Sequence, residues 1–144
     1  MKVLAVDHGE RRLGVAVSDA TGRLARPLAI IQHESRELDA RRVAELAQAE
    51  QAELIVVGQS FDEEGRPNLS GRRAQRFSEV LARLSLLRVV LWDESLSSQD
   101  ASQHRLASGI SRKRRARAID AAAAAVILQS YLDAHTEGQS TGRA

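Results

Sequence analysis

The chain has 144 residues, of which 43% are hydrophobic and 28% are charged, and this composition is typical of one globular domain with its own core. It contains no cysteine, which excludes disulfide bonds and thiolate metal sites. The first apolar run is too short for a signal peptide and no apolar stretch is long enough to cross a membrane, so we expect a cytoplasmic protein without membrane association.

The formal net charge is only +2, but the positive charge is mostly arginine and is clustered. Arginine suits bidentate contacts to phosphate, so the clusters are candidate nucleic-acid contacts. The candidates are Arg11, Arg12, Arg72, Arg73, Arg112, Lys113, Arg114, Arg115 and Arg117. A solvated helix face explains any isolated pair better, whereas for residues 112–117 both interpretations stay open. Aromatic residues make up 3% of the chain, which favours recognition of backbone and shape over base stacking.

The first motif is the stretch DHGERRLGVAVSD, residues 7–19, which joins two apolar runs. Residues 2–7 and 13–19 are predicted to be the strands of a β-hairpin with a polar turn between them. Asp7 therefore ends a buried strand, where a carboxylate is costly unless it is compensated. A bound metal ion would compensate it, and so would hydrogen bonds within an ordinary turn.

Strands and helices alternate in the next part of the chain. A third strand is predicted over Arg26–Ile31, with Pro27 near its start, and a helix over Glu34–Gln51. The continuous apolar run Leu54–Val57, closed by Gly58, predicts a strand that is buried on both faces.

A polar loop is predicted over residues 59–69, and loops of this length inside a domain are often functional. Ser70 is predicted to cap a helix whose apolar face contains Ala74, Phe77, Leu81 and Leu84. Another fully apolar strand, Val89–Trp92, is followed at once by Asp93 and Glu94.

Two more helices are predicted toward the C-terminus. Ser97 or Ser98 would cap the first, which runs to about Ala107 and ends at Gly109. The second runs over residues 114–135, and its apolar middle, residues 121–128, predicts burial on all sides. Residues 136–144 are small and polar, and we expect a disordered tail.

This order of elements predicts one α/β domain over residues 1–135. We expect a mixed five-stranded sheet, with antiparallel hairpin strands toward one edge, parallel strands beside them and helices on both faces. The three continuous apolar runs are expected to be the central strands.

Three acidic residues have unusual neighbours: Asp7 ends a buried strand, Glu94 follows another, and Asp120 precedes the apolar helix. Because sites in α/β sheets form at the carboxyl ends of strands, Asp7 and Glu94 would share a crevice if one strand separated theirs. Ala123 and Ala124 would let the helix approach closely enough for Asp120 to join them. Each acid alone has an ordinary explanation: a turn for Asp7, an exposed loop for Glu94 and a first helical turn for Asp120.

A cluster of carboxylates without cysteine or a local histidine pair suits hard cations, so Mg²⁺ or Mn²⁺ is the predicted cofactor. Two such ions about 4 Å apart can activate a water molecule and stabilise the leaving oxygen of a phosphodiester. Nearby arginines would then hold the nucleic-acid backbone.

Four stretches match the motifs of a known family. The pattern D-x-G-x-x-R-x-G-x-A-x-S-D is matched by Asp7, Gly9, Arg12, Gly14, Ala16, Ser18 and Asp19. Val56–Gly58 matches V-V-G, residues 93–98 correspond to D-E-R-x-T-T, and residues 120–128 match D-x-x-A-A-x-x-x-L. The chain thus resembles, over nearly its whole length, the YqgF/RuvX family of Holliday-junction-resolvase-like nucleases, also described as processing the 5′ end of pre-16S ribosomal RNA. The resemblance implies an RNase H-like fold and Asp7, Glu94 and Asp120 as catalytic, metal-binding acids.

The chain departs from the family pattern at three places. Ser95 replaces an arginine, and Gln59–Ser60 replaces a Leu-Pro pair. Arg117 stands where true junction resolvases of this fold usually have a fourth ligand, so either three carboxylates suffice or substrate and water complete the shell.

The resemblance implies a metal-dependent endonuclease that acts on branched DNA or on precursor rRNA. The departures leave room for a non-catalytic nucleic-acid-binding protein on the same scaffold. An actin-like ATP-binding domain is a weaker alternative, because such proteins normally need two domains of this kind. A junction resolvase would require a dimer, but the sequence does not decide between monomer and homodimer.

Overall fold

A computed structural model describes residues 1–96 and 121–135, which form a five-stranded mixed sheet with helices on both faces. The elements are β1 (Val3–His8), β2 (Arg12–Ser18), β3 (Ala25–Gln32), α1 (Arg36–Ala49), β4 (Leu54–Gln59), α2 (Leu69–Leu84), β5 (Arg88–Asp93), a short 3₁₀ turn (Glu94–Leu96) and a C-terminal helix over residues 121–135. The helix predicted from Ser97 or Ser98 and the tail predicted over 136–144 lie outside the described residues.

The strand order is β3-β2-β1-β4-β5, with antiparallel pairs on one side and parallel pairs on the other. Strand β1 runs antiparallel to β2, which runs antiparallel to β3. Strand β4 runs parallel to both of its neighbours, β1 and β5. The predicted hairpin, mixed sheet and parallel strands are therefore confirmed. Because β1, β4 and β5 run in the same direction, their carboxyl ends lie at the same end of the sheet.

Two apolar layers hold the sheet between the helices. On one face, α1 and α2 pack against alternate sheet residues, and the buried members of this layer are Leu4, Val6, Leu13, Val15, Ile31, Ala40, Val43, Ala47, Ala52, Ile55, Val57, Ala74, Phe77 and Leu81. On the other face, the C-terminal helix packs against the intervening sheet residues, and the layer contains Val3, Ala5, Ala16, Leu54, Val56, Ala124, Leu128 and Leu132. The alternation of side chains along each strand explains this division.

Strand β5 is an edge strand of the described sheet, so the prediction that all three apolar runs are central is wrong for Val89–Trp92. Val89 packs on the α1 and α2 side, whereas Val90 and Trp92 pack on the side of the C-terminal helix. Side chains of β5 pack on both faces of the sheet, so its sequence is apolar although only one of its edges is paired and none of its residues is fully buried.

The C-terminal helix is fully buried along one stripe, not on all sides as predicted. The buried residues are Ala121, Ala124, Ile127, Leu128 and Leu132, and the residues between them are half-buried. This pattern follows because the helix forms an outer layer and places one face on the sheet. Within residues 1–96 and 121–135, no helix combines the length and hydropathy that crossing a bilayer requires.

Helix α2 begins with Asn68 as its cap, so the prediction of Ser70 is wrong. The Asn68 side-chain oxygen accepts hydrogen bonds from the Gly71 amide at 2.8 Å and from the Ser60 hydroxyl at 2.7 Å. The Gln59 side-chain amide donates to the Gly71 carbonyl oxygen at 3.2 Å. These bonds fasten the loop after β4 to the first turn of α2.

Candidate metal centre

Asp7 lies near the carboxyl end of β1 and is half-buried. Leu4 and Val6 pack on the α1 and α2 side of the sheet, whereas Val3 and Ala5 pack on the opposite side. Because side chains alternate along a strand, Asp7 lies on the face that the C-terminal helix covers.

Glu94 follows β5 directly and lies on the same face. A Cβ atom added at Gly58 would lie 3.3 Å from Glu94 Oε2 and 2.9 Å from Ile127 Cδ1. The Glu94 carboxylate therefore lies over the end of β4, next to the C-terminal helix. Gly58 has no side chain, and this leaves the space that the carboxylate uses.

The sheet brings Asp7 and Glu94 to opposite sides of Gly58. The parallel register pairs Val6 with Val57, so Asp7 and Gly58 are neighbours one residue further along the two strands. Neighbouring strands are about 4.8 Å apart, which places Asp7 one strand spacing from Gly58. The condition for a shared crevice, that one strand lies between the strands of Asp7 and Glu94, is met, and that strand is β4.

The environment of Glu94 disfavours its charged form. Burial raises the pKa of Glu94 above its ordinary value, and the neighbouring charge of Asp93 raises it further. A cation beside this carboxylate would oppose both effects. Carboxylate oxygens are also the donors that Mg²⁺ and Mn²⁺ prefer, so this pair of residues fits the predicted cofactors.

Asp120 lies outside the described residues, so its predicted place in the site stays a prediction. Within the described ranges, no three Asp, Glu, His or Cys side chains form a group that could hold a metal ion. The helix that follows Asp120 in the sequence does approach the site, because Ala124 is fully buried against the sheet and Ile127 lies beside Gly58.

The described arginine candidates have different surroundings. Arg12 is half-buried at the start of β2 and alternates with Leu13, so it lies on the Asp7 face. Arg11 is exposed in the hairpin turn. Arg72 donates to the Pro67 carbonyl oxygen, and Arg73 pairs with Glu10 at 2.6 Å. The basic run at 112–117 lies outside the described residues.

Two residues of the opening motif lie at the far end of the hairpin and have structural contacts. The Ser18 hydroxyl accepts a hydrogen bond from the Val3 amide at 2.8 Å. The Asp19 carboxylate accepts hydrogen bonds from the Thr21 hydroxyl and from the amides of Arg23 and Leu24. Those three bonds, led by the one from Thr21, lower the pKa of Asp19 to about 2.

The structure shows the contacts made at two of the departures from the family pattern. Gln59 and Ser60 hold the loop after β4 against α2 through the bonds to Gly71 and Asn68 described above. Ser95 is exposed, and its backbone amide donates to the Asp93 carboxylate at 2.9 Å. Neither departure disturbs the approach of Glu94 to Gly58.

Sequence reasoning missed the part that Gly58 plays in the site, treating it only as the end of a strand. The available signal was its position, since it closes the buried strand that separates the strands of Asp7 and Glu94. At such a position a glycine indicates a close approach by another group.

Comparison with other proteins places the chain in a known group. The family model described as "RuvX: Holliday junction resolvase" matches residues 1–134. A protein of Bacillus cytotoxicus named "Putative pre-16S rRNA nuclease" is 40% identical over 135 residues, covering 92% of this chain and 98% of that protein. A protein of Anaeromyxobacter with the same name is 38% identical over 133 residues, covering 92% and 97%.

Solved structures share the fold. Thermus thermophilus RuvC, in a complex with a Holliday junction substrate, superposes with a TM-score of 0.60 at 20% identity, covering 94% of this chain and 97% of that one. The Fowlpox virus resolvase, in a complex with Holliday junction DNA, gives a TM-score of 0.58 at 13% identity, with 93% and 98% covered. The predicted RNase H-like fold is thereby confirmed.

Proposed function

This chain belongs to the RuvX family, and from that membership we propose that it is a divalent-metal-dependent endonuclease that hydrolyses phosphodiester bonds of structured nucleic acid. The observation that carries the proposal is the arrangement of Asp7 and Glu94 on either side of Gly58, on one face of the sheet. These two carboxylates come from remote parts of the chain and lie at the carboxyl end of the parallel strands, which is where α/β sheets place their sites.

In this proposal Asp7, Glu94 and Asp120 hold Mg²⁺ or Mn²⁺. When bound, a pair of such ions would activate a water molecule and stabilise the leaving oxygen of the phosphodiester. The chain contributes the oxygen donors and the bare backbone at Gly58, which keeps room beside Glu94. No side chain needs to act as the general base.

The arginines would bind the substrate backbone. Arg12 lies on the same face as Asp7, where its guanidinium suits a phosphate next to the cleaved bond. The other proposed contacts are Arg11, Arg72, Arg73, Arg112, Lys113, Arg114, Arg115 and Arg117. Such contacts position a strand without reading its sequence.

We favour precursor 16S rRNA as the substrate over branched DNA. The relatives with about 40% identity carry a name that refers to pre-16S rRNA. The two resolvases described above are 20% and 13% identical to this chain, and at such low identity they support the fold but not the substrate.

A cleavage assay tests this proposal. The purified chain is incubated with Mn²⁺, Mg²⁺ or EDTA and with three labelled substrates: a fragment spanning the 5′ end of 16S rRNA in its precursor, a duplex of equal length and a four-way DNA junction. We expect cleavage of the precursor with either metal and none with EDTA. Cleavage of the junction alone would overturn the substrate assignment. Metal-independent binding without cleavage of any substrate would favour the non-catalytic alternative.

A further inference from the structure

A second cleft opens at the same end of the sheet as the candidate metal centre, where β1, β4 and β5 end, but on the opposite face of the sheet. It has a volume of about 490 Å³ and is lined by His8, Glu10, His33, Ser35, Arg36 and Arg73, among others. His8 follows Asp7 directly, and side chains alternate, so the two residues lie on opposite faces of β1. The cleft therefore begins one residue away from the candidate metal centre, on the α1 and α2 side.

Two arginines give this cleft its chemical character. Arg36 makes no ion pair with any other described residue, although its charge is close enough to affect His8. Arg73 contacts Glu10 at 2.6 Å, and the Glu10 side chain is 75% exposed. A carboxylate that is this exposed on an arginine can be exchanged for another oxyanion, because exposed ion pairs are worth only about 0–1 kcal/mol.

The two histidines of the cleft are held in place by other contacts. His33 Nδ1 contacts the carboxylate of Asp39, which is completely buried and also accepts a hydrogen bond from the Glu34 amide at 3.0 Å. The His8 ring packs against Phe77 with their centroids 4.7 Å apart.

We propose that this cleft binds a phosphate group of the nucleic-acid strand close to the bond that is cleaved. Arg36 and Arg73 would contact the phosphate oxygens, with Glu10 displaced from Arg73, and His33 would line the side of the site. A nucleic-acid strand that passes over the carboxyl end of the sheet would present one phosphate to the metal centre and a nearby phosphate to the cleft. This proposal rests on the proposed function, because the phosphate assigned to the cleft belongs to the nucleic acid that the metal centre would cleave.

Inorganic phosphate is the first probe, and it is titrated into the chain in EDTA while the ring resonances of His8 and His33 are followed by NMR. We expect saturable shifts in the parent, no saturation in the double variant R36Q/R73Q, and about threefold tighter binding in E10Q, because the competing carboxylate is removed. The charge-matched control is R26Q/R83Q, which alters one arginine that pairs with Glu50 and one in the last turn of α2. This control should behave like the parent. Absence of any shift in the parent would overturn the proposal.

The second measurement is the affinity of the precursor RNA fragment, read by fluorescence anisotropy in EDTA, so that it does not depend on cleavage. We expect R36Q/R73Q to weaken RNA binding by about tenfold and R26Q/R83Q to change it by less than about twofold. Phosphate shifts together with equal RNA affinity in both double variants would show a site for free phosphate, and the assignment to the strand would be wrong. A chain that fails to cleave any substrate leaves both readouts intact, so the two proposals fail separately.

Discussion

An acidic residue directly follows a strand at each end of the sheet, and the surroundings of these two residues shift their pKa values in opposite directions. Asp19 follows β2, and its carboxylate accepts three hydrogen bonds from residues 21–24, which lower its pKa to about 2. Glu94 follows β5 and lies partly buried over Gly58, next to Asp93, and its pKa is raised. The turn at one end lowers the pKa of its carboxylate, whereas burial and a second carboxylate at the other end raise the pKa of theirs.

This difference shows what separates a structural acid from a candidate ligand in this fold. Both kinds occur in the family-like motifs, and both stand beside apolar runs. The distinction is whether nearby amides and hydroxyls stabilise the carboxylate or whether burial and a second carboxylate oppose its charge. Variants at the two ends therefore provide matched tests.

The largest effect is expected for Asp7→Asn. Loss of this carboxylate should lower metal-dependent cleavage by at least about 100-fold, because the ions lose an anionic ligand. The circular dichroism spectrum and the thermal midpoint should show that the variant still folds. Asp19→Asn is the matched control at the other end and should retain cleavage within about twofold of the parent. Equal activity in the two variants would remove the distinction between the ends.

A smaller effect is expected for Gly58→Ala. The new methyl group would lie 3.3 Å from Glu94 Oε2 and 2.9 Å from Ile127 Cδ1, so both side chains must move. Because catalytic groups tolerate little displacement, we expect cleavage to fall by about tenfold and more metal to be needed for half-maximal rate.

The double variant G58A/I127V separates packing from chemistry at this position. Valine lacks the Cδ1 atom, so the contact between the new methyl group and the helix is removed. The contact of the same methyl group with Glu94 Oε2 remains. We expect the double variant to recover thermal stability relative to Gly58→Ala but not activity. Full recovery of activity would show that Glu94 is not the residue that Gly58 accommodates.

Much of the fold could be predicted because apolar periodicity and parallel-strand rules act locally. The hairpin, both helices α1 and α2, and the buried strand β4 follow directly from such patterns, and their ends differ from prediction by only a few residues. The edge position of β5 could not be predicted, because packing on both faces produces the same apolar run as a central position. The cap at Asn68 was missed because asparagine and serine are both favoured cap residues, so the local sequence does not choose between Asn68 and Ser70.

The candidate site was predictable only in part. The strand ends identify Asp7 and Glu94, but the bare space at Gly58 depends on how Ile127 packs against it. The cleft on the opposite face combines residues from β1, the loop before α1, and both helices. No local pattern in the sequence brings Arg36 and Arg73 together.

A moderate loss of stability is expected for Asn68→Ala, at the same end as the metal centre. The change removes the helix cap and the partner of the Ser60 hydroxyl, so we expect a cost of about 1–2 kcal/mol in the free energy of unfolding. Ser35→Ala is the comparison, because the Ser35 side chain caps α1 by accepting the Leu38 amide and has no further hydrogen-bond partner within residues 1–96 and 121–135. Urea unfolding of both variants should show the larger loss for Asn68→Ala, and the reverse order would contradict this account of the loop.

The smallest effect is a pH dependence at the structural end. The folded-state pKa of Asp19 is lowered from 3.8 to about 2, so its carboxylate stabilises the fold above about pH 3.8 and loses this effect as the pH falls toward 2. Urea unfolding should show the parent more stable than Asp19→Asn at pH 5, with the difference shrinking between pH 4 and 2.5. A difference that stays constant over this range would show that the charge of Asp19 does not contribute.

Calorimetric titration of Mn²⁺ into the parent, Asp7→Asn, Glu94→Gln and the double variant measures most directly whether the two carboxylates share a metal centre. If they do, each single variant should weaken binding strongly, and the double variant should be weaker by much less than the product of the two single effects. Unchanged Mn²⁺ affinity in either single variant, or fully independent effects of the two changes, would contradict a shared centre at the end of β4.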